Sequence, residues 1–287
     1  MRIEGIATAN ENLFATADID RTVRLWSLTN RAKVKEFPTI FDFGGSRLAL
    51  ASGAQNVVVS GSWSTGIEAY DCATGKVFWG RRDLKNVQQI VAFSRAENPV
   101  VAVALEDEAL SILTAETGRN LLRISSTRGM FASNFGEFCL LVTREDVQLS
   151  NLESSAIWRK PLNSFAVLHA TFSKDLVAFS EAGGPVRAYD FFGEEAWRFN
   201  PKKGWHVTRI GWDSDASCWR AINRHYEGDG ASVLLELSNR GNAREVSHLG
   251  HIAHAAFFPE GQSLVTSAGE VISGGSGESV WKFLSDC

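Results

Sequence analysis

Six histidines and four cysteines are the groups in this 287-residue chain with the most obvious potential for chemistry. Of His169, His206, His225, His248, His251 and His254, only the last three stand at ligand-like spacing, as H-x-x-H-x-x-H. On a strand a spacing of three alternates faces, so three such imidazoles cannot easily meet at one metal ion. Cys72, Cys139, Cys218 and Cys287 share no C-x-x-C or similar spacing. They read as small buried hydrophobes and free thiols of a reducing cytoplasm. No G-x-S-x-G elbow, phosphate-binding P-loop or G-x-G-x-x-G occurs. The glycines of GGSGES (Gly274 to Ser279) precede no helix, so they form a loose turn rather than a phosphate cradle. In RHYEGDG (Arg224 to Gly230), Glu227 and Asp229 lack the dense oxygen-ligand spacing of a calcium loop. The chain therefore reads as non-catalytic, with no metal and no cofactor. Carboxylates contributed by different repeats would escape a search by spacing. An enzyme with a small-molecule site at a channel mouth stays as the alternative.

The bulk composition narrows the partners. A net charge of −4 with both signs mixed along the chain lacks the basic excess of a nucleic-acid binder. No run reaches the 18 or so apolar residues that a membrane span needs, and MRIEGIATANENLF has no secretory pattern. These features predict a cytoplasmic protein with neither nucleic acid nor membrane as partner.

What positions the side chains is a repeat. A short β-like run, a small polar residue, a turn and a second β-like run recur seven times. Examples are VRLWSLTNRAKVKEF, IEAYDCATGKVFWG and VRAYDFFGEEAWRF. The polar residue closing the first run is Ser27, Asp71, Thr114, Ser150, Asp190, Ser238 and Ser273. Successive gaps of 44, 43, 36, 40, 48 and 35 average 41, and seven such repeats account for all 287 residues. The tryptophans agree with this register. Trp79, Trp158 and Trp281 lie eight residues beyond their anchors and Trp197 seven, while Val34, Leu122 and Val246 take the place in other repeats.

Two further apolar runs precede each hairpin, for instance VQQIVAFS and PVVAVAL, or SFAVLHATFS and DLVAFS. Each repeat thus holds four short strands, many of them apolar on both faces, as a sheet covered on both sides requires. Period and strand count predict an all-β fold, a seven-bladed β-propeller of four-stranded antiparallel blades. It forms a single domain over 1–287, with blades near 1–38, 39–81, 82–125, 126–160, 161–200, 201–248 and 249–287. The chain starts on a first strand (Ile3 to Ala7) and ends on a fourth (Ser279 to Leu284). Each blade is then one continuous segment, and no strand is shared across the seam. A shift of one strand would restore a shared closure.

Two families resemble parts of this pattern. TADIDRTVRLWS (Thr16 to Ser27) resembles the end of a WD repeat, with Ser27 where Asp is commoner. GHIAHAAFFPEGQSLVTSA (Gly250 to Ala268) resembles the start of one, and there His251 fits a structural Gly-His position. IEAYDCATGKVFW (Ile67 to Trp79) resembles a blade of the pyrroloquinoline-quinone type, with VRAYDFFGEEAW (Val186 to Trp197) a weaker copy. The adjacent cysteines that such quinoprotein dehydrogenases need are missing. The WD-repeat resemblance implies an interaction platform without catalysis.

In a four-stranded blade, the connections between blades and the turns between strands two and three lie at one end. That end is where a protein partner is expected to bind a monomeric propeller. Its segments supply Trp63, Arg82, Arg128, Trp205, His206, Arg224 and Tyr226, aromatic and basic residues with the composition of interface anchors. The sixth repeat is the longest, and its extra length falls near Arg224 to Gly230. This segment is the best single candidate for a partner contact, whether the protein recruits its partner or blocks it as an inhibitor or immunity-type binder.

Overall fold

A computed structural model describes residues 2–9, 12–42, 45–53, 55–95, 98–133, 138–151, 156–226, 230–259 and 261–284. Twenty-eight strands form seven four-stranded sheets, each in sequence order. The first holds β1 (Ile3–Thr8), β2 (Leu13–Asp18), β3 (Thr22–Ser27) and β4 (Ala32–Pro38). The second holds β5 (Leu48–Ala51), β6 (Val57–Ser62), β7 (Gly66–Asp71) and β8 (Val77–Arg81). The third holds β9 (Val87–Arg95), β10 (Asn98–Leu105), β11 (Ala109–Thr114) and β12 (Asn120–Ser125). The fourth holds β13 (Gly129–Ala132), β14 (Cys139–Val142), β15 (Asp146–Ser150) and β16 (Ala156–Pro161). The fifth holds β17 (Val167–Phe172), β18 (Leu176–Glu181), β19 (Val186–Asp190) and β20 (Glu195–Phe199). The sixth holds β21 (Trp205–Asp213), β22 (Cys218–His225), β23 (Ala231–Leu237) and β24 (Ala243–His251). The seventh holds β25 (Ala255–Phe257), β26 (Ser263–Thr266), β27 (Glu270–Ser273) and β28 (Ser279–Lys282).

Every sheet is thus one continuous stretch of chain, with no strand contributed from elsewhere. Contacts divide the molecule into two compact units, Met1–Glu137 with Leu141–Thr143, and Phe138–Leu140 with Arg144–Cys287. Burial explains the composition of the strands. The middle strand β6, VVVSGS, is buried at every position. The outer strand β12 is exposed or half-buried throughout. Double-sided burial removes the alternation that a one-sided sheet would show.

The seven polar anchors close the third strand in six sheets, and Ser238 stands one residue beyond β23. Their side chains organise the turn that follows. Asp190 Oδ1 accepts the N–H groups of Phe192 and Glu194 at 2.9 and 2.8 Å, and Ser238 Oγ accepts those of Arg240 and Asn242 at 3.2 Å. This is the standard reason for Asp and Ser at such positions. In all seven sheets the ladder between strands three and four also shifts register close to this point.

The recurrent tryptophan fastens one sheet to the next. Trp79 Nε1 donates to Ala115 O at 2.8 Å, and Trp158 Nε1 donates to Asp190 O at 3.2 Å. In both cases the ring lies on the turn glycine of the following sheet. A Cβ added to Gly118 would stand 2.7 Å from the Trp79 ring. Trp197 packs edge-on against Trp219 with ring centroids 5.6 Å apart. Val34 does not fill the equivalent place in the first sheet. The register shift at Leu25/Trp26 sets Lys35 opposite Leu25, and Val34 is left 55% exposed. Phe37 packs against Gly75 there instead.

Candidate functional site

One backbone device recurs at the end where sheets are joined. The first residue after the second strand donates its N–H to the carbonyl just before the first strand. It appears as Ile19 to Arg2, Glu106 to Asn86, Ala182 to Ala166, Tyr226 to Gly204, and Ser267 to His254. In the second sheet the Trp63 N–H donates to the Asp42 carboxylate at 2.7 Å instead. These bonds pin each turn to the connection beside it, so the side chains there are carried on a fixed backbone.

In the first unit the predicted residues are engaged locally. Trp63 is half-buried, and the Arg47 guanidinium lies 5.1 Å from its ring centroid. Arg47 itself pairs with Asp42 at 3.0 Å. Arg82 pairs with Glu68, whose carboxylate also accepts the Tyr70 hydroxyl at 2.5 Å. Burial, followed by Glu68, pushes that phenol well above its ordinary range. Arg128 donates from Nε to Glu108 at 3.1 Å. Trp63 and Arg82 share one corner, because Asn86 donates its N–H to Trp63 O. Arg128 stands on the next connection, and its ion pair is its own.

In the second unit the sixth sheet gathers the other four. Sequence reasoning placed Trp205, His206 and Arg224 in loops. They occupy strand ends instead, because β21 and β22 continue pairing as Trp205↔His225 and His206↔Arg224. Trp205 is half-buried against the apolar cluster shared with the fifth sheet, with its ring 5.1 Å from that of His225. His206 lies flat on Tyr226, with centroids 5.3 Å apart and planes 8° apart. Burial, and then the neighbouring Arg224 cation, lower the His206 pKa. Tyr226 follows in the turn and is 52% exposed. Glu227 and Asp229 lie outside the described residues.

Phe165 was hidden from sequence reasoning. It was read into the first strand of its repeat as part of SFAVLHATFS. That strand begins only at Val167, and Phe165 stands on the preceding connection with 79% of its surface exposed. The signal was present in Asn163-Ser164, a polar pair that ends the previous run. The connection is anchored from below. Asn163 donates its N–H to Glu181 Oε2 at 2.7 Å, and Glu181 is fully buried and paired with Arg187 at 2.6 Å.

The remaining titratable groups do other work. His169 on β17 accepts the Ile210 N–H at 3.4 Å. Burial, with the Arg209 cation beside it, pushes its pKa down to about 3. A base tuned for neutral pH would sit near 7. Cys72, Cys139 and Cys218 are buried free thiols, and burial pushes their pKa values up to about 12, 12 and 11. Cys287 lies outside the described residues. His248 is exposed and lies 2.7 Å from Glu245, while His251 reaches towards Gly230. Among the described residues no group of three or more His, Cys, Asp or Glu is arranged to hold a metal, and no helix is long and apolar enough to cross a membrane.

No family model and no curated protein matches this chain. Among solved structures it is similar to one titled "Structure of U3-55K", with a TM-score of 0.72 at 12% identity over 93% of this chain and 88% of that one. With the seven sheets, this likeness makes the fold a seven-bladed all-β propeller. Matches extend to 1427 chains, so the architecture selects no activity by itself.

Proposed function

We propose that this chain is a non-catalytic protein-binding propeller whose contact surface includes the joined end of the fifth and sixth sheets. One observation carries the reading. Phe165 and Tyr226, at 79% and 52% exposure, are presented to solvent there on backbone held by hydrogen bonds at Asn163, Ala166 and Tyr226. Large aromatics held in a fixed pose lose little freedom on binding, and such residues dominate interface energetics. His206 backs the Tyr226 ring, so this part of the surface changes little when a partner docks. In the first unit, Trp63, Arg82 and Arg128 are contact residues on the same reading. The resemblance of some segments to WD repeats points the same way. Three buried free thiols suit a reducing compartment such as the cytoplasm.

The experiment is capture of partners by the full chain from native lysate, followed by calorimetry with the purified partner. A stoichiometric protein complex weakened at least tenfold by Phe165→Ala/Tyr226→Ala is the expected result. These two side chains are exposed, so the variant keeps its thermal midpoint. Failure to retain any protein, or unchanged affinity in the variant, refutes the reading.

A further inference from the structure

Arg224 is half-buried, yet it makes no ion pair and no side-chain hydrogen bond among the described residues. This sets it apart from the other well-covered arginines. Arg24, Arg47, Arg187 and Arg220 each have an acid, respectively Asp18, Asp42, Glu181 and Asp213. Arg209, without one, donates to Ala255 O and Thr208 O. A partly desolvated cation left without an acceptor is costly, and folds seldom keep one idle.

The groups around it are uncharged or weakly basic, and each can donate a hydrogen bond. Ser232 stands directly opposite Arg224 on β23, and residues opposite each other share a face. Its hydroxyl is 1% exposed and has no hydrogen-bond partner. His206 is opposite Arg224 on the other side. Gly230, at φ +67°, brings the backbone in close beside Arg224 and His251. A Cβ on it would stand 2.9 Å from the His251 ring and 3.6 Å from Arg224 Nη2, so only a glycine lets these two side chains come this near the turn. Guanidinium and hydroxyl thus share one face of the sheet, with the His251 imidazole close to the guanidinium at Gly230.

We propose that this corner of the sixth sheet is a carboxylate-recognition site, taking an Asp or Glu side chain or a chain terminus of the bound protein. The inference rests on the protein-binding reading and deepens it. A single guanidinium presents a planar fork matched to a carboxylate, which it can hold through two parallel hydrogen bonds. The formal charge is also matched. Burial and Arg224 both disfavour protonation of His206, so the site carries one firm positive charge, suited to a monoanion rather than a phosphate. The parallel His206–Tyr226 rings supply a flat wall for the carbon skeleton attached to the acid.

The test uses the full chain and three small probes, benzoate, benzamide and inorganic phosphate, at equal ionic strength and pH 7. Arginine Nε–H and histidine ring resonances report binding. Benzoate is expected to bind saturably and shift Arg224, His206 and His251, whereas benzamide, of the same shape without charge, leaves them in place. Arg224→Gln should weaken benzoate roughly ten- to hundredfold, the range for losing a charged hydrogen-bonding partner. Arg224→Lys retains the cation and should weaken it several-fold through loss of the fork. Equal binding of benzamide, preference for phosphate, or benzoate affinity unchanged in both variants overturns the proposal. Because no partner protein is present, a negative result here leaves the capture experiment standing, and a failed capture leaves this titration informative.

Discussion

Replacing Gly118 by alanine should destabilise the protein more than the same change at Gly183, and the excess should come from one ring. Both glycines have φ of +66°, so alanine carries the same backbone strain at each. That strain is about 1–2 kcal/mol for a residue with a Cβ in the left-handed region. The surroundings differ. At Gly183 no atom lies within 4 Å of an added Cβ, whereas at Gly118 two atoms of the Trp79 ring lie at 2.7 Å. Trp79 is held by its bond to Ala115 O, so it cannot withdraw freely. Overpacking of this kind adds roughly 1–3 kcal/mol. Gly183→Ala should therefore cost about 1–2 kcal/mol and Gly118→Ala about 2–5 kcal/mol. At the ~2–4 °C per kcal/mol of a chain of this size, the thermal midpoints should separate by about 6 °C. Urea titration followed by tryptophan fluorescence gives the free energies directly. In a Trp79→Ala background the contact is absent, so Gly118→Ala should cost only the strain. Equal costs at the two glycines, or an excess that persists without Trp79, would refute the idea that the repeated tryptophan and the turn glycine lock successive sheets.

Arg187→Met should cost about 3–5 kcal/mol, because it strands the buried Glu181 carboxylate without its cation. It should also loosen the Phe165 connection that Glu181 holds, which hydrogen exchange at Asn163 can read; protection equal to wild type would count against this. His169 predicts acid sensitivity. Its folded pKa is depressed to about 3 while the unfolded chain takes up the proton near the ordinary 6.5. Stability is therefore complete above pH 6.5 and is lost as pH falls from there towards 3, with a limiting slope of about 1.4 kcal/mol per pH unit. Urea midpoints at pH 7, 6 and 5 should fall more steeply in the wild type than in His169→Gln, and parallel profiles would contradict the assignment. Cys72, Cys139 and Cys218 should resist a thiol reagent at pH 8 until denaturant is added, since the thiolate is the reactive form. Their rapid labelling in the native protein would show that the sheets open.

Repeat spacing and residue type determined the number of sheets, the four strands in each, and the seven polar anchors at or just beyond the ends of the third strands. These features are local. A Ser or Asp caps its own turn through bonds to N–H groups two to four residues away, and a strand's apolar run is set by what covers it. The recurrence of tryptophan was equally legible, although its purpose was not. Only the tertiary structure showed the ring meeting a glycine some 35–39 residues further on, in the next sheet. The same limit governed the site. Trp205, His206, Arg224 and Tyr226 were found by composition, but their division between two faces follows from strand pairing that runs further than turn residues suggested. Phe165 was misplaced for the same reason, since two residues of strand boundary decide whether an aromatic is core or surface. That Arg224 has no ion pair among the described residues is likewise invisible in sequence. Which charge meets which is decided by side-chain direction across neighbouring strands, and that is fixed by register rather than by separation along the chain.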